Sequence, residues 1–129
     1  MQPRYAYFNG RVVPYENARL SVLTHAFNYG TAVLGGIRGY WNNEDGQLFL
    51  FRAVDHFKRL RRSAKLMGME ITASEEDLVA NVTELLRSER LLEDCYVRAV
   101  AYYSDESLGV RIHDLTPDVT IVVLPYGHY

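Results

Sequence analysis

Asn9-Gly10 stands between two short apolar runs, and no other pair of residues restricts the fold of this chain as strongly. The two-residue turn that suits the right-handed twist of paired strands needs positive φ at both positions, which asparagine and glycine tolerate. The segment Tyr5–Val13 therefore predicts an antiparallel hairpin. Pro14 has no N–H to offer a further neighbour, so it closes the second strand or confines it to an edge.

The rest of the chain supplies more strands and two helices. Ser21 to Gly36 mixes polar and apolar residues and reads as a short helical turn or loop leading into a strand, Ile37–Trp41. Asn42 to Gly46 is a turn, and Gln47–Phe51 is the returning strand. From Arg52 to Met69, Val54, Phe57, Leu60, Ala64 and Met67 recur at helical spacing, and Gly68 is placed to end the helix. A second helix is predicted from Ser74 to Arg90, with Ser74 as N-cap, Asp77 at the capping-box position, and Leu78, Val82, Leu85 and Leu86 as its apolar stripe. Cys95–Tyr103 is rich in strand formers, Ser104 to Pro117 is a long polar loop, and Val119–Leu124 is a buried strand. Hairpins without alternating crossover units argue for an α+β fold: an antiparallel sheet with two helices packed on one face.

Composition removes several classes of function. A length of 129 residues suits one domain. A formal net charge of −2 argues against a global pull toward nucleic acid or an acidic membrane. No apolar run approaches the ~20 residues needed to span a bilayer, and the N-terminal residues lack the apolar core of a signal peptide. A cytoplasmic protein is the expectation. Cys95 is the only cysteine, so no internal disulfide can form, and the four histidines at 25, 56, 113 and 128 lack metal-ligand spacing.

Three arginines remain to be explained. Arg59 falls away from the apolar face of its helix, so periodicity excludes it from the core and leaves solvent, a second domain or a ligand open. Arg98 is the only charge in the strand Cys95–Tyr103; on a covered face it needs an anionic partner, and on an open face it needs none. Arg38 sits among Gly35, Gly36 and Gly39, which let a backbone or ligand approach closely. Two strand arginines together suit bidentate recognition of a carboxylate. The basic stretch 52–65 could alternatively serve a non-enzymatic binding or dimerisation module, but a solvated helix face is the favoured explanation given the acidic net charge.

The run from His25 to Tyr40, HAFNYGTAVLGGIRGY, resembles the N-terminal signature of branched-chain aminotransferases, which are fold-type IV enzymes dependent on pyridoxal 5′-phosphate. Further likenesses follow in order: Phe8-Asn-Gly, Asp55-His-Phe-Lys-Arg-Leu60, Ser63-Ala-Lys-Leu66, Tyr96-Val-Arg98, Leu108-Gly-Val110 and Leu124-Pro-Tyr-Gly-His-Tyr129. The resemblance implies that residues 1–124 form the small N-terminal domain, that 125–129 begin an interdomain linker, and that the C-terminal domain with the cofactor-bonding lysine is absent. It implies amino transfer between leucine, isoleucine or valine and 2-oxoglutarate, with the chain inactive by itself. Arg59 would hold the cofactor phosphate. Arg98 would bind the distal carboxylate of glutamate, helped by Tyr29 and Tyr129, with Arg38, Leu34 and Gly36 lining the same mouth. Val110 and Tyr29 would reach into the pocket of a neighbouring subunit, which implies a homodimer.

The chain departs from the family pattern at Leu34 and Gly35, where an aromatic residue and a glutamate are usual; two smaller side chains imply a roomier substrate site. The same fold also serves D-amino-acid transaminases and aminodeoxychorismate lyases, and the Arg38/Arg98 pair favours the branched-chain group over both. Lys58 and Lys65 are the only lysines, and neither stands where the family has a catalytic role.

Overall fold

Both residues of the first turn lie at positive φ, Asn9 at 52° and Gly10 at 81°. Phe8 faces Arg11 across them, so β1 (Tyr5–Phe8) and β2 (Arg11–Pro14) form the two-residue hairpin that the dipeptide predicts. The computed structural model describes residues 2–126. Four further strands join this hairpin: β3 (Ala32–Asn42), β4 (Gln47–Leu50), β5 (Cys95–Tyr103) and β6 (Pro117–Pro125). They form a six-stranded antiparallel sheet in the order β2-β1-β6-β5-β3-β4. β2 is an edge, where Pro14 leaves no ladder bond unmade.

Three α-helices complete the fold: α1 (His25–Tyr29), α2 (Ala53–Leu66) and α3 (Glu75–Glu89). The two long helices pack on one face of the sheet, as predicted. Phe57, Leu60 and Ala64 from α2 and Leu78, Val82 and Leu85 from α3 share a core with Ile37, Val97, Ile121 and Val123. Fully burying an aliphatic or aromatic side chain of this size contributes about 1.5–3 kcal/mol. α3 starts on a complete capping box: Ser74 Oγ accepts from the Asp77 N–H at 3.1 Å, and the Asp77 carboxylate accepts from the Ser74 N–H at 3.4 Å. No helix among the described residues is long and apolar enough to cross a membrane.

Two elements differ from expectation. β3 begins at Ala32 rather than Ile37. Gly35 and Gly36 are strand residues paired with Ala99 and Arg98 of β5; Gly35 faces Leu60 of α2, and the Tyr96 ring fills the space a side chain at Gly36 would take. The inward stripe of α2 starts at Ala53, and Val54 is 38% exposed. The positions 53, 57, 60 and 64 keep one helical face, and Val54 lies a step round from it.

Glu89 is a buried carboxylate that the sequence did not flag. One of its oxygens accepts from the backbone N–H of Arg4 at 2.7 Å and of Tyr5 at 2.6 Å, tying the end of α3 to the start of β1. Replacing Glu89 by alanine leaves two backbone donors without an acceptor. Glu89→Ala is expected to lower stability in urea denaturation by about 2 kcal/mol, and Glu89→Gln, which keeps one carbonyl oxygen in place, by less.

Candidate functional site

Strand alternation sorts β5 into two sets. Cys95, Val97, Ala99 and Ala101 are buried under the helices, while Arg98 is exposed on the opposite face. β3 follows the same rule, with Ile37 buried and Leu34, Arg38 and Tyr40 exposed. Register then decides which side chains meet. Arg38 pairs with Tyr96 and Gly36 pairs with Arg98, so the two arginines are diagonal neighbours on one open face. Such neighbours have Cβ atoms within about 7–8 Å. The face that carries Arg98 is therefore the open one, not covered by this chain's helices.

Each arginine is braced by tyrosine instead of a carboxylate. Arg98 Nε donates to the Tyr96 hydroxyl at 3.1 Å, and its guanidinium lies 5.3 Å from the centre of that ring. Arg38 donates to the Tyr126 hydroxyl and lies 4.3 Å over the Tyr126 ring. Hydrogen bonding to Tyr40, followed by the charge of Tyr126, raises the Arg38 pKa above the ordinary arginine value. Among the described residues neither guanidinium has an ion-pair partner. Two charges of one sign, held in place and unneutralised, have the chemistry to pair with an anion such as a carboxylate.

Tyr96 crosses Gly36 closely. A Cβ built on Gly36 would stand 2.8 Å from Tyr96 Cε2 and 2.9 Å from Cζ. Gly35 turns the other way, where its Cβ would meet Leu60 Cδ1 at 3.6 Å. This corrects the expectation for the two departures from the family pattern. Leu34, 60% exposed, lies on the face of the arginines, whereas Gly35 faces Leu60 of α2.

The other expected residues lie elsewhere. Tyr29 ends α1, and its hydroxyl accepts from the Gly109 N–H at 2.6 Å, which brings it beside Val110, itself 82% exposed. Both sit beyond the Ala32 end of β3. Gly36 is four residues further on, roughly 13 Å along a strand, so within one chain Tyr29 does not join Arg98. Arg59 is exposed on α2, on the helix side of the sheet, and makes no ion pair among the described residues. Arg61 of the basic stretch is tied to Glu75 at 3.0 Å and to the Ile71 carbonyl, so part of that stretch is structural. Lys58 and Lys65 are exposed on the same helix. Tyr129 lies outside the described residues.

Sequence reasoning missed Tyr40, Tyr96 and Tyr126 as braces. Tyr96 was visible in principle, since a tyrosine two residues before a strand arginine shares its face. No group of His, Cys, Asp or Glu among the described residues could hold a metal ion. A groove of about 710 Å³ between β4 and the end of α3, lined by Trp41, Leu48, Leu86 and Arg90, lies on the helix side of the sheet and contains none of the expected site residues.

With this geometry in place, the comparisons with known proteins decide the family. The family described as "Amino-transferase class IV" matches residues 37–129. The chain belongs to the class IV aminotransferases. It is a homologue of branched-chain aminotransferases and matches the N-terminal portion of its relatives. It is 41% identical over 125 residues to a probable branched-chain-amino-acid aminotransferase of Aquifex aeolicus, covering 97% of this chain and 40% of that protein. The branched-chain aminotransferase of Thermoproteus uzoniensis, solved with norvaline, superposes with a TM-score of 0.91 at 38% identity, covering 98% of this chain and 42% of the other. The branched-chain amino acid aminotransferase of Thermobaculum terrenum, solved in its PLP form, gives a TM-score of 0.88 at 30% identity, covering 98% of this chain and 41% of the other. This class IV chain thus spans about 40% of the length of the curated relatives it matches.

Two substitutions and one thiol test the site's geometry. Gly36→Ala must displace the Tyr96 ring and is expected to cost about 1–3 kcal/mol in urea denaturation, whereas Gly35→Ala, with only an ordinary van der Waals contact to meet, leaves stability unchanged or higher. Burial pushes the Cys95 thiol up to about 11. Cys95 should therefore resist a thiol reagent at pH 8 until the chain is denatured.

Proposed function

We propose that this chain is the substrate-recognising part of a pyridoxal-phosphate-dependent branched-chain aminotransferase, which in its complete form moves an amino group between leucine, isoleucine or valine and 2-oxoglutarate. The observation that carries the reading is the pair Arg38 and Arg98, diagonal on one open sheet face and braced by tyrosines, with no carboxylate partner among the described residues. Such a pair takes an anionic oxygen from outside. Arg98 is assigned to the distal carboxylate of glutamate or 2-oxoglutarate, with Arg38, Leu34 and Gly36 lining the mouth.

The residues present fit the cofactor at one point. Arg59 is exposed and free of ion pairs among the described residues, as a ligand for the phosphate must be. Bound pyridoxal phosphate supplies the electron sink for chemistry at the substrate's α carbon. Covalent attachment and proton transfer are assigned to a lysine other than Lys58 and Lys65. Those two lie exposed on α2, and a working amine of that kind is desolvated. The chain alone is accordingly assigned no activity.

Tyr29 and Val110 are assigned to the pocket of a second copy. They are exposed, roughly 13 Å along the strand from Gly36 and Arg98, and belong to a surface that includes exposed Val22, Phe27 and Leu108. That surface fits a homodimer in which each copy completes the other's site.

Kinetics of the complete protein test the reading. Valine with 2-oxoglutarate should be turned over, and D-alanine should not. Arg98→Ala should raise KM for 2-oxoglutarate by roughly 10–100-fold, the loss of a charged hydrogen-bonding partner, with a much smaller effect on the monocarboxylic 2-oxo acid of leucine. An equal loss on both acids would remove Arg98 from the distal-carboxylate role.

A further inference from the structure

α1 is five residues long, too short to hold its own position. Its anchor is His25, 1% exposed, which reaches across to the loop before β6. The His25 backbone N–H donates to the Asp105 carbonyl at 2.8 Å, and Thr24 bridges Glu106. In the side chain, Nε2 lies 2.8 Å from the Gly109 carbonyl oxygen and Nδ1 lies 2.8 Å from Thr31 Oγ1. A carbonyl only accepts, so Nε2 carries the proton; in the neutral ring Nδ1 then accepts from the Thr31 hydroxyl. The imidazole lies tilted against the Tyr29 ring, with centres 4.6 Å apart, and meets Tyr103 edge-on at 6.2 Å.

Gly109 is therefore gripped at both ends. His25 takes its carbonyl, and its N–H donates to the Tyr29 hydroxyl oxygen at 2.6 Å. Its φ of 122° is a conformation that L side chains rarely adopt. One consequence concerns Tyr29. Its oxygen already accepts a hydrogen bond from the backbone, so its own proton is directed away from the loop and is available to donate to an outside oxygen.

We propose that His25 is a positioning residue for the substrate site: by clasping Gly109, it aims the Tyr29 O–H and sets the reach of Val110. The inference rests on the assignment of Tyr29 and Val110 to the substrate pocket made above. His25 itself touches no substrate; it acts through Gly109.

Hydrogen exchange and steady-state kinetics of the complete protein carrying this chain test the clasp. His25→Phe keeps an aromatic ring and removes both side-chain hydrogen bonds. It should speed exchange of the Gly109 amide by roughly tenfold, the loss of about one hydrogen bond, with the β5–β6 ladder unchanged. KM for 2-oxoglutarate should rise by a similar factor, with kcat kept within about twofold. His25→Gln, whose amide can still donate to the Gly109 carbonyl, should recover most of both effects. In a Tyr29→Phe background, His25→Phe should raise KM by less than it does alone, because the route through Tyr29 is already cut and only that through Val110 remains. Should His25→Phe fail to fold, Thr31→Val, which removes the donor to Nδ1, is expected to shift Gly109 exchange and KM in the same direction by less.

Unchanged Gly109 exchange in these variants would overturn the proposal, as would a KM increase that stays additive with Tyr29→Phe. If Tyr29→Phe by itself leaves KM untouched, the pocket assignment falls, and the clasp is then decided by Gly109 exchange alone.

Discussion

The ladder joining β3, β5 and β6 is the constraint on which the rest of this molecule depends. β5 is paired along its whole length with β6 and along most of it with β3. A paired strand cannot rotate one residue without moving every side chain to the other face. Val97, Ala99 and Ala101 must therefore go under the helices together, and Arg98 must then stand outside with Tyr96. Placing the core and placing Arg98 on the open face are one event.

The two faces are stabilised by different physics. On the helix side, α2 and α3 remove a contiguous set of aliphatic side chains from water. On the other side, two guanidinium groups remain exposed, so neither carries the large desolvation cost of a buried charge. Tyrosines limit their freedom without neutralising them: Tyr96 for Arg98, and Tyr126 for Arg38. Gly36 permits this arrangement, because only a residue without a side chain leaves room for the Tyr96 ring. The glycines of β3 thus have separate duties. Gly35 faces α2 with room for a methyl group, Gly36 admits Tyr96 on the open side, and Gly39 admits the buried Cys95 sulfur, 2.6 Å from where a Cβ would stand.

A second, smaller unit is built on polar contacts. α1 and the loop before β6 hold each other through His25, Thr31, Gly109 and Tyr29, and Phe27, Leu108 and Val110 are exposed beside them. A segment held this way can keep a defined shape while presenting apolar surface, which suits a place where another surface arrives. The sheet and the clasp together divide the labour: one carries the cations, the other presents a hydroxyl and apolar side chains.

Much of this was determined by local sequence. Asn9-Gly10 specified the first hairpin, Ser74 with Asp77 specified the start of α3, and the alternation of Cys95–Tyr103 specified a strand, because each rests on the dihedral preferences or capping of adjacent residues. The family likeness singled out Tyr29, Arg38, Arg59, Arg98 and Val110, but their mutual placement depended on register and packing. That Arg38 and Arg98 are diagonal neighbours follows from Gly36 facing Arg98. That Gly35 belongs to α2 rather than to the open face follows from Leu60. Glu89 and His25 were not legible because their partners lie 84 or more residues away in the chain, Arg4, Tyr5 and Gly109. The sequence by itself determined the elements and the residue types available for chemistry. Only the tertiary structure decided which of them meet, because hydrogen-bond partners so distant along the chain leave no local periodicity to read.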